Sequence, residues 1–206
     1  MGYTIYFRIN NPVKNLVEHS ASLREIWYSK DSYERKCILS SRIPEHKTDV
    51  EAIDKYLQAF KRIVADTKKL YANLPPNTTS AGGGYENNPL TIKGADGTGE
   101  PLFCPYDGII FNGDSSIDMD HETLCLIPFD TDNLNFFCKT ARKPYDLLVK
   151  AVLISAKRHF GKNMTLDSDG EISDWKETIQ LYQDTLKRKV NKHWFKEIRK
   201  SNDYSL

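Results

Sequence analysis

The sequence contains few cysteines, and none of them are closely paired. No CxxC pair occurs among Cys37, Cys104, Cys125 and Cys138. Zinc knuckles and thiol redox sites use such paired spacing. A framework of disulfides is typical of smaller, exported chains. We therefore expect reduced thiols that are mostly buried.

Long apolar runs are also missing. The longest, LLVKAVLISA at residues 147–156, contains Lys150 and is about half as long as a bilayer span. The first residues, MGYTIYFRINNP, lack a basic region followed by a continuous apolar stretch, which is the pattern of a signal peptide. These absences predict a cytoplasmic protein with no membrane partner.

The chain has no GxxxxGK[ST] motif for binding phosphate, and its triple glycine at 82–84 follows a predicted helix, not a strand. These glycines lie in a segment rich in Gly, Pro, Asn and Thr, residues 74–101. Loops of this length are uncommon inside compact domains and are often functional or disordered. We predict a flexible connection here, a candidate lid or hinge. A nucleotide-binding loop is the less favoured alternative.

What the sequence does contain is typical of a folded globular protein. Hydrophobic residues make up 39% of the chain and charged residues 28%, with eleven tyrosines and nine phenylalanines. The length of 206 residues suits one domain spanning residues 1–206. The elements described next predict an α+β fold in which a small, mostly antiparallel sheet packs against about four helices.

Several elements can be placed from their residue patterns. YTIYFRI at 3–9 is typical of a strand, a helix is expected to begin near Pro12, and KCILSSRI at 36–43 indicates a second strand. Apolar residues at helical spacing predict an amphipathic helix from Thr48 to Pro75. Short apolar runs between residues 102 and 138 favour an antiparallel meander. Residues 144–161 predict a largely buried helix, and a basic helix is expected over residues 173–200.

The segment TLDSDGEISDWK, residues 165–176, resembles the start of a calcium-binding loop but fails at two ligand positions. If Gly170 is the sixth residue, the first position is Thr165 and the twelfth is Lys176. An EF-hand loop requires a carboxylate at the first position and a bidentate glutamate at the twelfth. We therefore interpret DSDG as a turn, and Ser173 as the cap of the helix that follows.

Charge is strongly segregated along the chain, although the net charge is only +1. No lysine or arginine occurs between residues 94 and 138, which contain nine carboxylates. From residue 187 to residue 200, seven basic residues accompany a single glutamate. This basic segment interleaves aromatic and cationic side chains, as a surface that binds a phosphate backbone would. Cations stabilising a helix C-terminus are the alternative interpretation.

Two further clusters are candidate sites. The acidic stretch offers divalent-metal donors in Asp118, Asp120, His121 and Glu122, although their spacing matches no strict motif and solvated loops often look similar. The segment FCKTARKPYD, residues 137–146, lies between an apolar strand and a buried helix. Its cations and the amides at the helix start are suited to holding an anion. Cys138 is a candidate nucleophile there if those cations lower its pKa, although a cysteine between two phenylalanines is usually part of a core.

These patterns favour an intracellular, non-catalytic binding protein that requires no cofactor. Its expected partner is a nucleic acid or an acidic protein surface. The predicted anion-binding residues are Lys139, Thr140, Arg142, Lys143, Lys192, Lys196 and Arg199. The alternative is an enzyme of phosphate or nucleotide chemistry, with a divalent metal held by the acidic stretch. No complete catalytic constellation is visible in the sequence, so the binding protein is preferred.

Overall fold

The computed structural model describes residues 3–9, 47–78, 84–85, 87–128 and 135–195. Side chains are not described for residues 47–53, 135 and 192. The helix expected near Pro12 and the strand expected at 36–43 lie outside the described residues.

The first sheet is built around the N-terminal strand. β1 (Thr4–Ile9) lies between β5 (Asn135–Lys139) and β6 (Met164–Ser168), and both pairings are antiparallel. Alternation of side chains along β1 buries one face of the sheet, where Phe7 stacks on Phe136 with ring centres 5.3 Å apart. The predicted first strand is confirmed. β6 was not predicted, because its residues were interpreted as a turn that leads into a helix.

The second sheet is the predicted meander, but it is shorter than expected. β2 (Leu102–Cys104), β3 (Gly108–Phe111) and β4 (Leu124–Leu126) pair in sequence order. β5, which the meander was expected to include, leaves this sheet and pairs with β1 instead. The expectation of one sheet is therefore wrong, since the described residues form two sheets of three strands each. A strand can exchange neighbours in this way because its alternating pattern specifies a buried face but no partner.

Three α-helices occur among the described residues, against about four expected. They are α1 (Lys47–Ala72), α2 (Asp146–Phe160) and α3 (Lys176–Leu186). α2 packs against α1, α3 and β6, and its apolar residues are almost all buried, as predicted. Its end is fixed by Gly161, whose φ of 58° suits glycine. The α+β class is confirmed.

The C-terminal helix is shorter than expected. A 3₁₀ turn at Ile172–Trp175 precedes α3, and the α-helix ends at Leu186 because Lys187 has a left-handed φ of 53°. The basic residues that follow do not continue this α-helix. Within the described part they enter a second 3₁₀ turn, Lys192–Phe195. The N-cap residue is Glu171, not Ser173 as predicted. The backbone amide of Glu171 donates to Asp174 Oδ2 over 3.0 Å.

The described part of the segment 74–101 is tied to the second sheet. Asn77 bridges to Pro89, and Lys93 bridges to Asn112 at the end of β3. Gly97 packs so closely on Ser115 and Asp120 that a Cβ there would overlap both side chains. Whether the whole segment is flexible stays a prediction.

Two sequence expectations concern burial. None of the described helices combines the length and apolar character needed to cross a bilayer. The three cysteines within the described ranges are free thiols, but Cys138 alone is buried, while Cys104 is half-buried and Cys125 is exposed. The expectation of mostly buried thiols is therefore wrong for these three.

Candidate functional site

The turn that joins β5 to α2 has an unusual backbone. Ala141 and Arg142, at its centre, have φ values of 51° and 58°. The amide of Lys143 donates to the carbonyl of Thr140 over 3.0 Å. Two consecutive positive φ values in a hydrogen-bonded turn are the signature of type I′. Left-handed backbone costs a non-glycine residue about 1 kcal/mol or more, so surrounding contacts must stabilise this turn.

The side chain of Arg142 supplies two of those contacts. Its Nη2 lies 3.2 Å from Asp174 Oδ2, and its guanidinium lies 4.7 Å from the centre of the Tyr3 ring. The ring is almost fully buried, so a cation over its face gains some attraction to the π-electrons. Arg142 is therefore already paired with a carboxylate of its own chain.

Thr140 is also bonded internally, to a carboxylate at the start of α2. The hydroxyl of Thr140 donates to Asp146 Oδ1 over 2.6 Å, and Asp146 forms an ion pair with Lys150 one turn further on. Both members of the pair are buried. The positive end of a helix favours a negative charge. Asp146 therefore supplies, from within the chain, the anion that the sequence predicted would come from a ligand.

Lys150 is held on all sides. Its Nζ donates to the carbonyl of Asp174 over 2.9 Å and lies 4.7 Å and 5.7 Å from the ring centres of Tyr3 and Trp175. Beside it is a small cleft lined by three cationic and three acidic side chains. Its charged lining residues are Arg142, Lys143, Lys150, Asp146, Asp174 and Glu177. Because these charges balance, the cleft has no formal excess of either sign.

Lys143 connects this cleft to the acidic stretch. Its Nζ donates to the carbonyl of Asp118 over 2.8 Å and to Asp118 Oδ1 over 3.0 Å. The lysine side chain is 9% exposed, whereas that of Asp118 is 95% exposed. Two clusters far apart in sequence thus meet in the fold, and this contact neutralises one charge from each.

The other predicted metal donors lie beside the same turn. The carboxylate of Glu122 accepts a hydrogen bond from the backbone amide of Lys139 over 2.6 Å. The side-chain amide of Asn112 donates to the backbone carbonyl of His121 and accepts from the backbone amide of the same residue. Asp120 is half-buried. Across the described ranges, no group of three or more His, Cys, Asp or Glu side chains is placed to hold a metal ion. The metal site stays a prediction without added support.

Cys138 is poorly suited to nucleophilic chemistry. Its side chain is fully buried, and its Sγ donates to the carbonyl of Glu122 over 3.4 Å. Burial first, and then the charges of Asp146 and Glu122, raise the pKa of the thiol well above its ordinary value. Cys138 was a candidate nucleophile only if the neighbouring cations lowered this pKa, and the structure gives the opposite direction. A reactive thiolate is therefore disfavoured at this position.

Gly170 allows the turn after β6 to pack closely against Tyr3 and Asp174, the two residues that contact Arg142. A Cβ at this position would overlap both the Tyr3 ring and the carboxylate of Asp174. The amide of Gly170 donates to Ser168 Oγ over 3.1 Å, which fixes the turn after β6. The glycine of the rejected calcium loop is thus needed for packing against β1.

Gly170→Ala is expected to lower the free energy of unfolding by about 2 kcal/mol, since the added methyl group must displace Tyr3 and the partner of Arg142. Denaturant titration followed by circular dichroism measures the change. The double variant Tyr3→Leu/Gly170→Ala lacks the ring that the methyl group would displace. Its loss of unfolding free energy should therefore be smaller than the sum of the losses in the two single variants. Strictly additive costs would contradict the packing explanation.

A second buried cluster joins all three helices. Asp66 of α1 is 3% exposed, and its Oδ2 is bonded to Ser155 Oγ at 2.8 Å, His159 Nε2 at 2.9 Å and Arg188 Nη1 at 2.7 Å. Ser155 and His159 occupy successive turns of α2, and Arg188 follows α3. Because the serine hydroxyl donates to the carboxylate and the described residues show no hydrogen bond from it to the histidine, the arrangement is no nucleophile–base pair. Its role is to hold the helices together.

The outer face of the first sheet has the opposite character. Tyr6 and Phe137 stand directly opposite each other on β1 and β5 and are 44% and 58% exposed. Arg8 and Lys139 are exposed on the same two strands, each two residues from one of the rings. Neither cation forms an ion pair with any residue that the structure describes. The sequence analysis identified Lys139 but missed the two aromatic rings and Arg8.

The predicted basic tail is only partly described. Arg188 is bound to Asp66, and Lys192 is described at the backbone alone. Lys196 and Arg199 lie outside the described residues. Of the predicted anion-binding residues whose side chains are described, Lys139 is the one that is exposed.

Comparison with known proteins adds no constraint on these sites, because no protein family, curated protein or solved structure matches this chain.

Proposed function

We propose that the protein is an intracellular, non-catalytic binding protein that engages an anionic partner through exposed basic side chains. The observation that carries the proposal is the pair of cations on the outer face of the first sheet. Arg8 and Lys139 are exposed and have no carboxylate partner within the described residues. In contrast, Arg142, Lys143 and Lys150 are each paired internally. Unpaired cations attract an anionic partner, while paired ones have little left to offer it.

The basic residues beyond α3 are proposed to extend this surface. Lys192, Lys196 and Arg199 belong to a segment with seven basic residues and one glutamate. Several cations are needed for useful affinity at physiological salt, since each neutralised anionic group of the partner contributes a salt-sensitive increment. A nucleic acid or an acidic protein surface satisfies this requirement.

The proposal is tested by the salt dependence of binding to a heparin chain and to a labelled oligonucleotide. In Arg8→Gln/Lys139→Gln, the slope of log affinity against log salt should become shallower by about 2, one per lost cation. Lys192→Gln/Lys196→Gln/Arg199→Gln should reduce the slope by about 3 on the same reasoning. The matched control is Lys68→Gln/Lys69→Gln, which removes two exposed charges from α1.

Equal slopes in the wild type and both sets of variants would overturn the proposal, as would an absence of binding to every polyanion at low salt. The metal-dependent enzyme is not advanced, because no geometric observation favours it over the binding protein.

A further inference from the structure

We infer that the outer face of the first sheet is a stacking platform for single-stranded nucleic acid, formed by Tyr6 and Phe137 and flanked by Arg8 and Lys139. The inference rests on the proposed function, and it chooses between the two partner classes left open there. What favours a nucleic acid is the order of the side chains, because the two exposed rings lie between two cations along paired strands. An unpaired base stacks on an aromatic ring while its phosphate meets a cation.

Strand pairing fixes the backbone that carries the two rings. Tyr6 and Phe137 are direct cross-strand partners, so their Cβ atoms stand about 5 Å apart. Their strand neighbours Phe7 and Phe136 point to the opposite face and stack on each other there. β1 is paired on both sides, which fixes the backbone under Tyr6. Because the backbone is already fixed, stacking bases on these rings orders only the two side chains.

The cations are placed at opposite ends of the aromatic pair. Lys139 stands opposite Thr4, and Arg8 stands opposite Asn135. The two side chains therefore originate about 13 Å apart along the strands, with the rings between them. A chain of nucleotides that crosses the face can place a phosphate near each cation while its bases lie on the rings. Charge and aromatic character thus alternate along one path.

The third strand contributes the opposite charge. Asp167 of β6 stands beside Tyr6 on the same face, and its Oδ1 accepts a hydrogen bond from the amide of Ser168 over 2.8 Å. A carboxylate there repels phosphate and directs the bound strand over β1 and β5. Asp167→Asn should therefore strengthen oligonucleotide binding, by about 2-fold or more at low salt.

The experiment uses the full chain and a fluorescein-labelled oligothymidylate of about ten nucleotides, with an abasic oligonucleotide of the same length and charge as the comparison. The wild type should bind the oligothymidylate at least about tenfold more tightly than the abasic strand, since only the former has bases to stack. Tyr6→Ala and Phe137→Leu should each remove about tenfold, and Tyr6→Phe should bind like the wild type because the ring is kept. Tyr71→Ala, which removes an exposed ring on α1, is the matched control.

Each outcome is decisive. Equal affinity of the wild type for the oligothymidylate and the abasic strand would overturn the platform while leaving the anionic-partner proposal intact. The same holds if Tyr6→Ala and Phe137→Leu bind the oligothymidylate as tightly as the wild type does. Preference for polyglutamate over oligothymidylate would also overturn it, in favour of an acidic protein. Failure to bind any polyanion would overturn both proposals. Because both rings are exposed, the substituted proteins are expected to fold, and thermal unfolding monitors this.

Discussion

Asp66→Ala is expected to lower the free energy of unfolding by about 3 kcal/mol, because it leaves Ser155, His159 and Arg188 without their shared acceptor. The hydroxyl of Ser155 is fully buried and loses its hydrogen bond outright. Arg188 is 35% exposed and can turn to water, so the loss falls at the lower end of the range for a broken buried pair. Chemical denaturation at neutral pH measures it.

The same substitution should change the acid sensitivity of the protein. Burial alone would raise the pKa of Asp66, but hydrogen bonds from His159 and Ser155 and the charge of Arg188 outweigh it, so the pKa lies below its ordinary value of 3.8. The folded state therefore binds fewer protons at this site than the unfolded chain. The stabilisation is present above the ordinary pKa and is lost as the pH falls through the lower, folded value.

We therefore expect the wild type to lose stability more steeply than Asp66→Ala as the pH falls below about 4. Asp184→Asn is the matched control, since this carboxylate is exposed on α3 and bonds only to Gln180 among the contacts described. Parallel stability curves for the wild type and Asp66→Ala between neutral and acid pH would contradict the assignment.

Lys150→Met is expected to cost about 3 kcal/mol of folding free energy, even though methionine preserves most of the side-chain volume. It leaves the buried carboxylate of Asp146 with Thr140 as its remaining side-chain partner. It also removes the donor to the carbonyl of Asp174. An uncompensated buried charge is the main cost. Lys69→Met, on the exposed side of α1, should change stability by no more than about 0.5 kcal/mol.

A double substitution separates the pair energy from the burial cost. Lys150→Met/Asp146→Leu removes both charges, and replacing a buried ion pair with apolar side chains is often close to neutral. The double variant should therefore be more stable than Lys150→Met alone. If its cost equals the sum of the two single costs, the pair is not coupled and the explanation is wrong.

Local patterns in the sequence predicted individual elements well. Alternation along residues 3–9 predicted β1, and helical spacing after Thr48 predicted α1, because each pattern is decided by near neighbours. The pairing of strands, in contrast, was predicted wrongly. Local sequence does not show that β5 pairs with β1 instead of with the second sheet, nor that residues 164–168 form β6. Both depend on a strand that is distant in sequence and offers an unpaired edge.

The candidate sites show the same limit. The cations at 139–143 and the carboxylates at 118–122 were predicted as two separate candidate sites, whereas the fold brings Lys143 and Asp118 into contact and pairs most of those cations within the chain. Asp66 gave no signal, because a single carboxylate on an amphipathic helix is normally exposed to solvent. Tyr6 and Phe137 become a pair only through strand register, which links residues 131 positions apart (137 minus 6).

The central place of β1 constrains how the chain reaches its native state. Thr4 pairs with Lys139, 135 positions later (139 minus 4). On a ribosome that adds about 5–20 residues per second, the first strand therefore waits roughly ten seconds for its earliest neighbour. An apolar strand left open for that long is liable to pair with the wrong chain. Chaperone assistance during synthesis, and slow refolding in dilute solution, are the behaviour that this connectivity implies.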